Sequence, residues 1–253
     1  MNKQEALFDL VLRLGDNSLI LGHRLSELCS HGPFLEEDIA TTNIALDLVG
    51  QSRILLSYAG QVEGKGRSED DLAYFRNAEQ FRCCLLSQLP NGDFAYTNTR
   101  LYFYSVYASL FLTQLMKSKD ETLAGYAAKA IKETTYHIRH SGEWLLRFGD
   151  GTEESHDRLQ KAVDAIWMYT GDMFATTEGD KSLIADGIMP DFASLKSEWY
   201  KIVSTHLKNA TITVPDENAF QQKGSREGKH LEALTYILGE MQVVARAHPG
   251  VSW

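Results

Sequence analysis

The sequence predicts an all-α protein in which four long helices form a bundle and shorter helices pack outside it. Apolar residues recur at spacings of three, four and seven residues over long stretches, which is the pattern of amphipathic helices. The five prolines, at positions 33, 90, 190, 215 and 249, all lie in the gaps between those stretches. Because proline is poorly tolerated inside a helix, this placement indicates where the helices end. No stretch alternates strand and helix patterns, so a parallel sheet has no support.

The first two helices are predicted from about residue 4 to 29 and from about residue 35 to 62. The first carries a single apolar stripe, which consists of Leu7, Val11, Leu14, Leu21, Leu25 and Leu28. The second is expected to bury Ile39, Leu46, Val49, Ile54 and Leu56. The polar segment at 64–71 ends the pattern, and a shorter third helix is predicted at 72–89, before a turn at 90–93.

The second half of the chain continues the same pattern. An aromatic-rich helix is predicted at 95–117, and another long helix is predicted at 122–148, where a Gly-Asp-Gly turn follows it. Further helices are predicted at 155–176, 191–207 and 229–247, with a loop at 178–190 and at most an isolated strand at 212–215. We therefore expect one domain over 1–253, with a long-helix core at about 4–148 plus 155–176 and peripheral helices, including the C-terminal one, at about 191–253.

Composition narrows the class of protein. The chain is 43% hydrophobic and 23% charged, as ordinary globular proteins are, and its net charge of −9 argues against nucleic acid or an anionic membrane as a partner. Its three cysteines, Cys29, Cys83 and Cys84, make a poor disulfide framework and indicate a reducing compartment. Charges interrupt every apolar stretch near the N-terminus, so neither a signal peptide nor a membrane span is predicted there. We expect a cytoplasmic protein.

Two of the long helices carry what looks like an incomplete metal site. Di-iron helical bundles use about four carboxylates and two histidines, with a Glu-x-x-His motif on each of two helices. Here Glu133 is followed at that spacing by Tyr136, and His137 comes one position late. On the earlier helix, Asp47 is followed at that spacing by Gly50, which has no side chain. The pattern predicts a degenerate site that is unfit for iron.

Two alternatives stay open for the same residues. Glu133, His137 and His140 project from one helical face, and with Asp47 from a second helix they could hold a metal. The plainer interpretation is a polar, hydrogen-bonded face. In that case the buried carboxylates of Asp47 and Glu133 need partners, and the candidates nearby in the sequence are Arg53, Lys132, Arg139 and Tyr136.

A basic, glycine-containing segment at 224–230 leads into the last helix. Its backbone amides, with Lys229 and His230, could contact an anion such as the phosphates of coenzyme A. The segment lacks the spacing of a phosphate-binding P-loop, and a plain connector is the favoured interpretation.

Several long motifs resemble the C subunits of phenylacetyl-CoA epoxidases. They are LRLGDNSLILGHRLSEL at 12–28, NIALDLVGQSR at 43–53, PNGDFA at 90–95, AIKETTYHIRHSGEWLLRFGDGTEES at 130–155 and GKHLEALTYILGEMQ at 228–242, followed by HPG-x-x-W. The likeness extends from the first helix to Trp253.

The resemblance implies a ferritin-like fold and a role in aerobic degradation of phenylacetate through CoA thioesters. In that family the di-iron centre belongs to a related A subunit, and a separate reductase carries FAD and an iron–sulfur cluster and uses NADPH. The C subunit is a partner without a working iron centre or a cofactor of its own. Carried over by position, Asp47, Gly50, Glu133, Tyr136 and His137 would occupy the degenerate metal site.

The favoured hypothesis is therefore a non-catalytic structural subunit that pairs with the di-iron A subunit of a monooxygenase complex. An exposed docking face would also allow the chain to self-associate when its partner is missing. The rival hypotheses are an autonomous metalloenzyme that uses Glu133, His137 and His140, and a module that binds CoA thioesters.

Overall fold

The computed structural model describes residues 2–251, and every regular element in that range is helical, as the sequence predicts. The α-helices are α1 (Lys3–Ser26), α2 (Leu35–Glu63), α3 (Glu69–Tyr74), α4 (Leu85–Gln88), α5 (Phe94–Leu115), α6 (Glu121–Gly149), α7 (Glu153–Trp167), α8 (Glu178–Ala185), α9 (Phe192–Asn209) and α10 (Glu232–Ala247). Short 3-10 turns lie at Ala78–Gln80, Thr170–Phe174 and Ser225–Glu227.

The four long helices α1, α2, α5 and α6 form a ferritin-like bundle. Helix α1 packs antiparallel along α2, and α5 packs antiparallel along α6. Glycines on α1 allow close approach, because a Cβ on Gly15 would lie 2.8 Å from Leu56 and one on Gly22 would lie 3.2 Å from Leu48. Residues 10–22 of α1 are buried without exception, so this helix runs through the interior of the molecule.

Helix α5 carries an aromatic core to which the outer helices are attached. The ring of Phe103 contacts Trp167 of α7 and Trp199 of α9 edge-on, with centroid distances of 5.7 and 5.6 Å. The indole nitrogen of Trp199 also donates to the Phe103 carbonyl oxygen at 2.9 Å. Edge-on aromatic pairs of this kind add to the stability gained from burial alone.

The third helix predicted at 72–89 is wrong, because this part of the connection between α2 and α5 is mostly not helical. Helices α2 and α5 both run antiparallel to α6, so they are parallel to each other and need a long crossover. In that crossover only α3 and α4 are α-helical. Several backbone amides of the crossover donate to side chains and not to helical carbonyl groups. They are those of Arg82, Cys84 and Leu85, which donate to Asp16, Asn17 and Asp172 respectively. Buried polar side chains thus offer the backbone an alternative to helical hydrogen bonds.

Buried ion pairs accompany this crossover. The guanidinium of Arg76 is bidentate to Asp16, whose side chain is completely buried, and it also donates to the carbonyl oxygens of Leu72 and Gln80. Arg13 on α1 forms a second buried bidentate pair, with Asp180 of α8. Since an unpaired buried charge is costly, both pairs fix the positions of the segments that carry them.

Two smaller predictions about elements are also wrong. The predicted loop at 178–190 contains helix α8, which starts at a capping box between Thr177 and Asp180. The predicted helix at 155–176 ends at Trp167 and is followed by a 3-10 turn. Residues 212–215 lie outside any helix or strand, which agrees with the prediction of at most an isolated strand there.

Helix α2 differs from the prediction in which side chains it buries. Leu56 is buried and Val49 and Ile54 are half-buried, as expected, but Ile39 and Leu46 are 51% and 63% exposed. Helix α2 packs on α1, α3 and α6, and these two apolar residues lie on the side that none of the three covers. Within residues 2–251, no helix combines the length and apolarity that a membrane crossing requires.

Candidate functional site

The residues predicted to form a degenerate metal site lie where α2 passes antiparallel to α6. Nε2 of His137 on α6 lies 3.0 Å from a carboxylate oxygen of Asp47 on α2. The imidazole is buried, whereas the carboxylate is partly open to solvent. In the sequence, His137 comes one residue late for a Glu-x-x-His motif. The structure shows that it pairs with Asp47.

Glu133 takes a different partner one turn away. Its carboxylate accepts a hydrogen bond of 2.9 Å from the side-chain amide of Gln51. Both residues line a small cavity of about 160 Å³ between the two helices, which also includes Leu46, Asp47, Gly50, Ile54, Tyr126, Lys129 and Ala130. Gln51 follows Asp47 by one helical turn, so helical spacing could have found it from the sequence.

A third polar contact lies at the other end of the same helix pair. Glu37 on α2 accepts from the indole nitrogen of Trp144 at 2.8 Å, and it lies 3.2 Å from Nε2 of His140. Tyr136 is 37% exposed, and its ring stacks on that of His140 with centroids 5.8 Å apart. Glu37 was not a predicted site residue, and because its ten-residue separation from Asp47 falls about 80° short of three full turns, helical spacing alone does not place the two on one face.

These contacts determine whether the residues fit a metal. The side chains of Asp47, Glu133 and His140 each contact a different residue of the facing helix, and they do not converge on one point. Among residues 2–251 there is no group of three or more His, Cys, Asp or Glu side chains placed to hold a metal ion. Because a di-iron centre needs about six such ligands, the donor set does not fit one.

The prediction that cationic side chains nearby in the sequence pair with the carboxylates of Asp47 and Glu133 is wrong. Asp47 contacts His137, and Glu133 contacts Gln51. Arg53 instead reaches Glu69 at 3.4 Å, and the guanidinium of Arg139 lies 5.6 Å from the centre of the Tyr136 ring. Polar contacts between α2 and α6 therefore satisfy the carboxylates without Arg53 or Arg139.

The polar groups of the segment at 224–230 form hydrogen bonds and an ion pair with other residues of the chain. The amides of Gly224 and Ser225 donate to one carboxylate oxygen of Asp172, at 3.1 and 3.3 Å. Lys229 is exposed and pairs with Glu227 at 2.6 Å. The ring of His230 bonds inward, with Nδ1 2.8 Å from the Gln88 amide nitrogen and Nε2 3.1 Å from the Phe81 carbonyl oxygen. The contact groups predicted for an anion thus already have partners within the chain.

The tautomer of His230 follows from these contacts. The Gln88 side-chain oxygen accepts from the Leu231 amide, so its nitrogen is the group that donates to Nδ1. The ring is then neutral, with its hydrogen on Nε2, and a second ring proton would face the Gln88 donor. Burial lowers the pKa of His230 more than its bond to the Phe81 carbonyl raises it, and burial likewise lowers the pKa of His140 despite the nearby Glu37 carboxylate.

We predict that stability falls as the pH drops through about 6.5, the ordinary histidine pKa of the unfolded chain. Below that pH the unfolded chain binds protons that folded His140 and His230 resist, so stability is full above the window and is lost on acidification. Urea unfolding at pH 7.5 and 5.5 measures the effect. The variant His230→Gln should reduce the loss, and equal losses in variant and wild type would contradict this assignment.

Two comparisons with known proteins agree with the motifs. The sequence matches the family described as phenylacetic acid catabolic protein over residues 1–253. It is also 44% identical over 242 residues to the C subunit of 1,2-phenylacetyl-CoA epoxidase from Escherichia coli strain K12, an alignment that covers 96% of this chain and 97% of the relative.

Proposed function

The chain belongs to the phenylacetic acid catabolic protein family, and on that premise we propose that it is a non-catalytic subunit of a phenylacetyl-CoA epoxidase complex. It pairs with the di-iron A subunit and supports it structurally. The oxygen chemistry takes place on the A subunit's iron, with electrons from NADPH supplied through a reductase that carries FAD and an iron–sulfur cluster. The pathway served is the aerobic degradation of phenylacetate.

The single observation that carries this proposal is the pairing of polar groups between α2 and α6. The side chains that an iron-bearing bundle would direct at metal are joined here as Asp47 with His137 and Glu133 with Gln51. A carboxylate removed from water needs such a partner, and these contacts supply one without metal. In this chain the polar contacts therefore hold α2 to α6, as shared ligands do in a di-iron bundle.

The proposal is tested on the chain purified alone and then incubated with ferrous iron. We expect iron well below one equivalent by elemental mass spectrometry. With phenylacetyl-CoA and the reductase we expect no oxygen consumption, and we expect consumption to appear when the A subunit is added. Calorimetric titration of phenylacetyl-CoA into the isolated chain should give little heat, because the predicted anion contacts have partners within the chain.

Retention of two equivalents of iron would favour the autonomous metalloenzyme instead. That alternative requires His137 to leave Asp47 and His140 to leave Glu37. The variants His137→Ala and His140→Ala separate the two hypotheses. A metalloenzyme loses bound iron in these variants, whereas a structural subunit shows no change in iron content.

A further inference from the structure

Helix α2 packs against α1, α3 and α6, but a further side of it, which is apolar, is left uncovered. Helix α5 is buried on every side, at each position from 97 to 107. In α2, by contrast, Leu35, Ile39 and Leu46 are 71%, 51% and 63% exposed. Residues at these intervals share one side of a helix, and we name Leu35, Ile39 and Leu46 the α2 stripe.

Gly50 continues the α2 stripe by about one turn. It is exposed, and a Cβ built on it would have no heavy atom within 4 Å. The packing of this chain therefore does not require glycine at that position. Glycine is an unfavourable residue inside an exposed helix, but it lets another backbone come close.

A row of cations borders the α2 stripe on α6. Lys129, Lys132 and Arg139 are exposed and lie on one face of that helix, and we name them the α6 strip. Lys129 lines the same cavity as Leu46 and Gly50, which places the α6 strip beside the α2 stripe. None of the three forms an ion pair within residues 2–251, in a chain whose net charge is −9. An acidic protein thus carries an unpaired basic edge next to an uncovered apolar face.

We propose that the α2 stripe and the α6 strip together form the face on which the iron-bearing subunit docks. The matching surface of that subunit is an apolar helix bordered by acidic side chains. The inference rests on the proposed function and adds where the partner binds and what chemistry its surface has. Charge favours a different subunit over a second copy of this chain, since two copies would bring the same unpaired cations to a shared two-fold interface.

The first test replaces Leu46 by aspartate and measures the affinity of the chain for the iron-bearing subunit. Because the side chain is exposed in the isolated chain, the variant should fold normally. We expect its affinity to fall by roughly 30-fold or more, as for loss of an interface hot spot. The matched control is Val243→Asp on α10, which is 57% exposed and lies outside the proposed face.

The outcomes separate this inference from the proposed function. Failure of the wild-type chain to bind the iron-bearing subunit would reject the proposed function. Normal binding by both wild type and Leu46→Asp would reject the docking face alone. Equal loss of binding in the two aspartate variants would also reject it, because the effect would then not depend on position.

The second test addresses the charges. In the double variant K132E/R139E we expect the association rate at low salt to fall about tenfold or more, and the rate should become less sensitive to added salt. The control is Lys161→Glu on α7, an exposed lysine away from the face. An unchanged rate in the double variant would mean that the partner does not present acidic side chains to the α6 strip.

The third test uses two exposed helical glycines. Gly50→Ala and Gly239→Ala should both raise the melting temperature of the isolated chain, because alanine is the better helix former and neither Cβ meets an atom. Only Gly50→Ala should weaken binding of the iron-bearing subunit. A variant that is more stable alone but weaker in the complex is not explained by damage to the fold. Equal binding by the two variants would contradict close approach at Gly50.

Discussion

Replacing Asp16 by alanine is expected to lower the free energy of unfolding by about 3–5 kcal/mol, the cost of leaving one member of a buried ion pair alone. Asp16 is completely buried, pairs with the guanidinium of Arg76 and accepts from the Arg82 amide at 2.7 Å. Alanine leaves a buried cation and a backbone donor without their acceptor. For a chain of this size the loss corresponds to a drop in melting temperature of roughly 6–20 °C.

Two control variants test whether the cost comes from leaving a buried charge without its partner. Asp186 pairs with Lys3 at 2.8 Å on the surface, so Asp186→Asn should lower the stability far less than Asp16→Ala does. The double variant Asp16→Leu, Arg76→Met removes both charges and should be more stable than Asp16→Ala. Urea unfolding followed by circular dichroism measures all three, and an Asp16→Ala variant as stable as Asp186→Asn would contradict the argument.

Replacing Phe103 by alanine is expected to cost about 3–5 kcal/mol, the range for truncating a buried aromatic residue. The Phe103 side chain is fully buried, and its ring contacts Trp167 and Trp199. The cavity that alanine leaves would separate α5 from α7 and α9. Because the two tryptophans pack on this ring, their fluorescence should change together with the stability.

Two variants separate loss of packing from loss of an aromatic group. Phe103→Leu keeps most of the volume and should cost less than Phe103→Ala. Phe220 is 74% exposed, so Phe220→Ala should change the free energy of unfolding by no more than about 0.5 kcal/mol. Equal costs for the leucine and alanine variants of Phe103 would show that packing volume is not what the position contributes.

The long helices were predictable because each is encoded locally. The apolar spacing and the prolines placed α1, α2, α5 and α6 to within three residues of their observed ends. The crossover was not predictable in this way, since its backbone bonds go to Asp16, Asn17 and Asp172, which are distant in the sequence. The apolar spacing at 72–89 correctly indicates that much of this segment is buried. The segment is buried without forming one continuous helix.

The candidate site was predictable in its residue types but not in its pairings. The absence of a Glu-x-x-His motif is a local property of the chain, and it indicated a donor set unfit for iron. The contact of Asp47 with His137, and that of Glu133 with Gln51, depends on how α2 and α6 are aligned. That alignment is set by the whole bundle. The exposure of Ile39 and Leu46 likewise reflects the absence of a covering element, which the periodicity of one helix does not report.

The crossover between α2 and α5 has a consequence for the order of folding. The bonds of its amides to Asp16, Asn17 and Asp172 join residues that are 66, 67 and 87 positions apart. Such contacts close large loops, and they form only after the distant elements have met. We therefore expect the crossover to become ordered late, after α1 has met the turn at Thr170–Phe174. Once formed, its amides should exchange with solvent as slowly as those of the long helices, because opening them requires the two halves of the chain to separate.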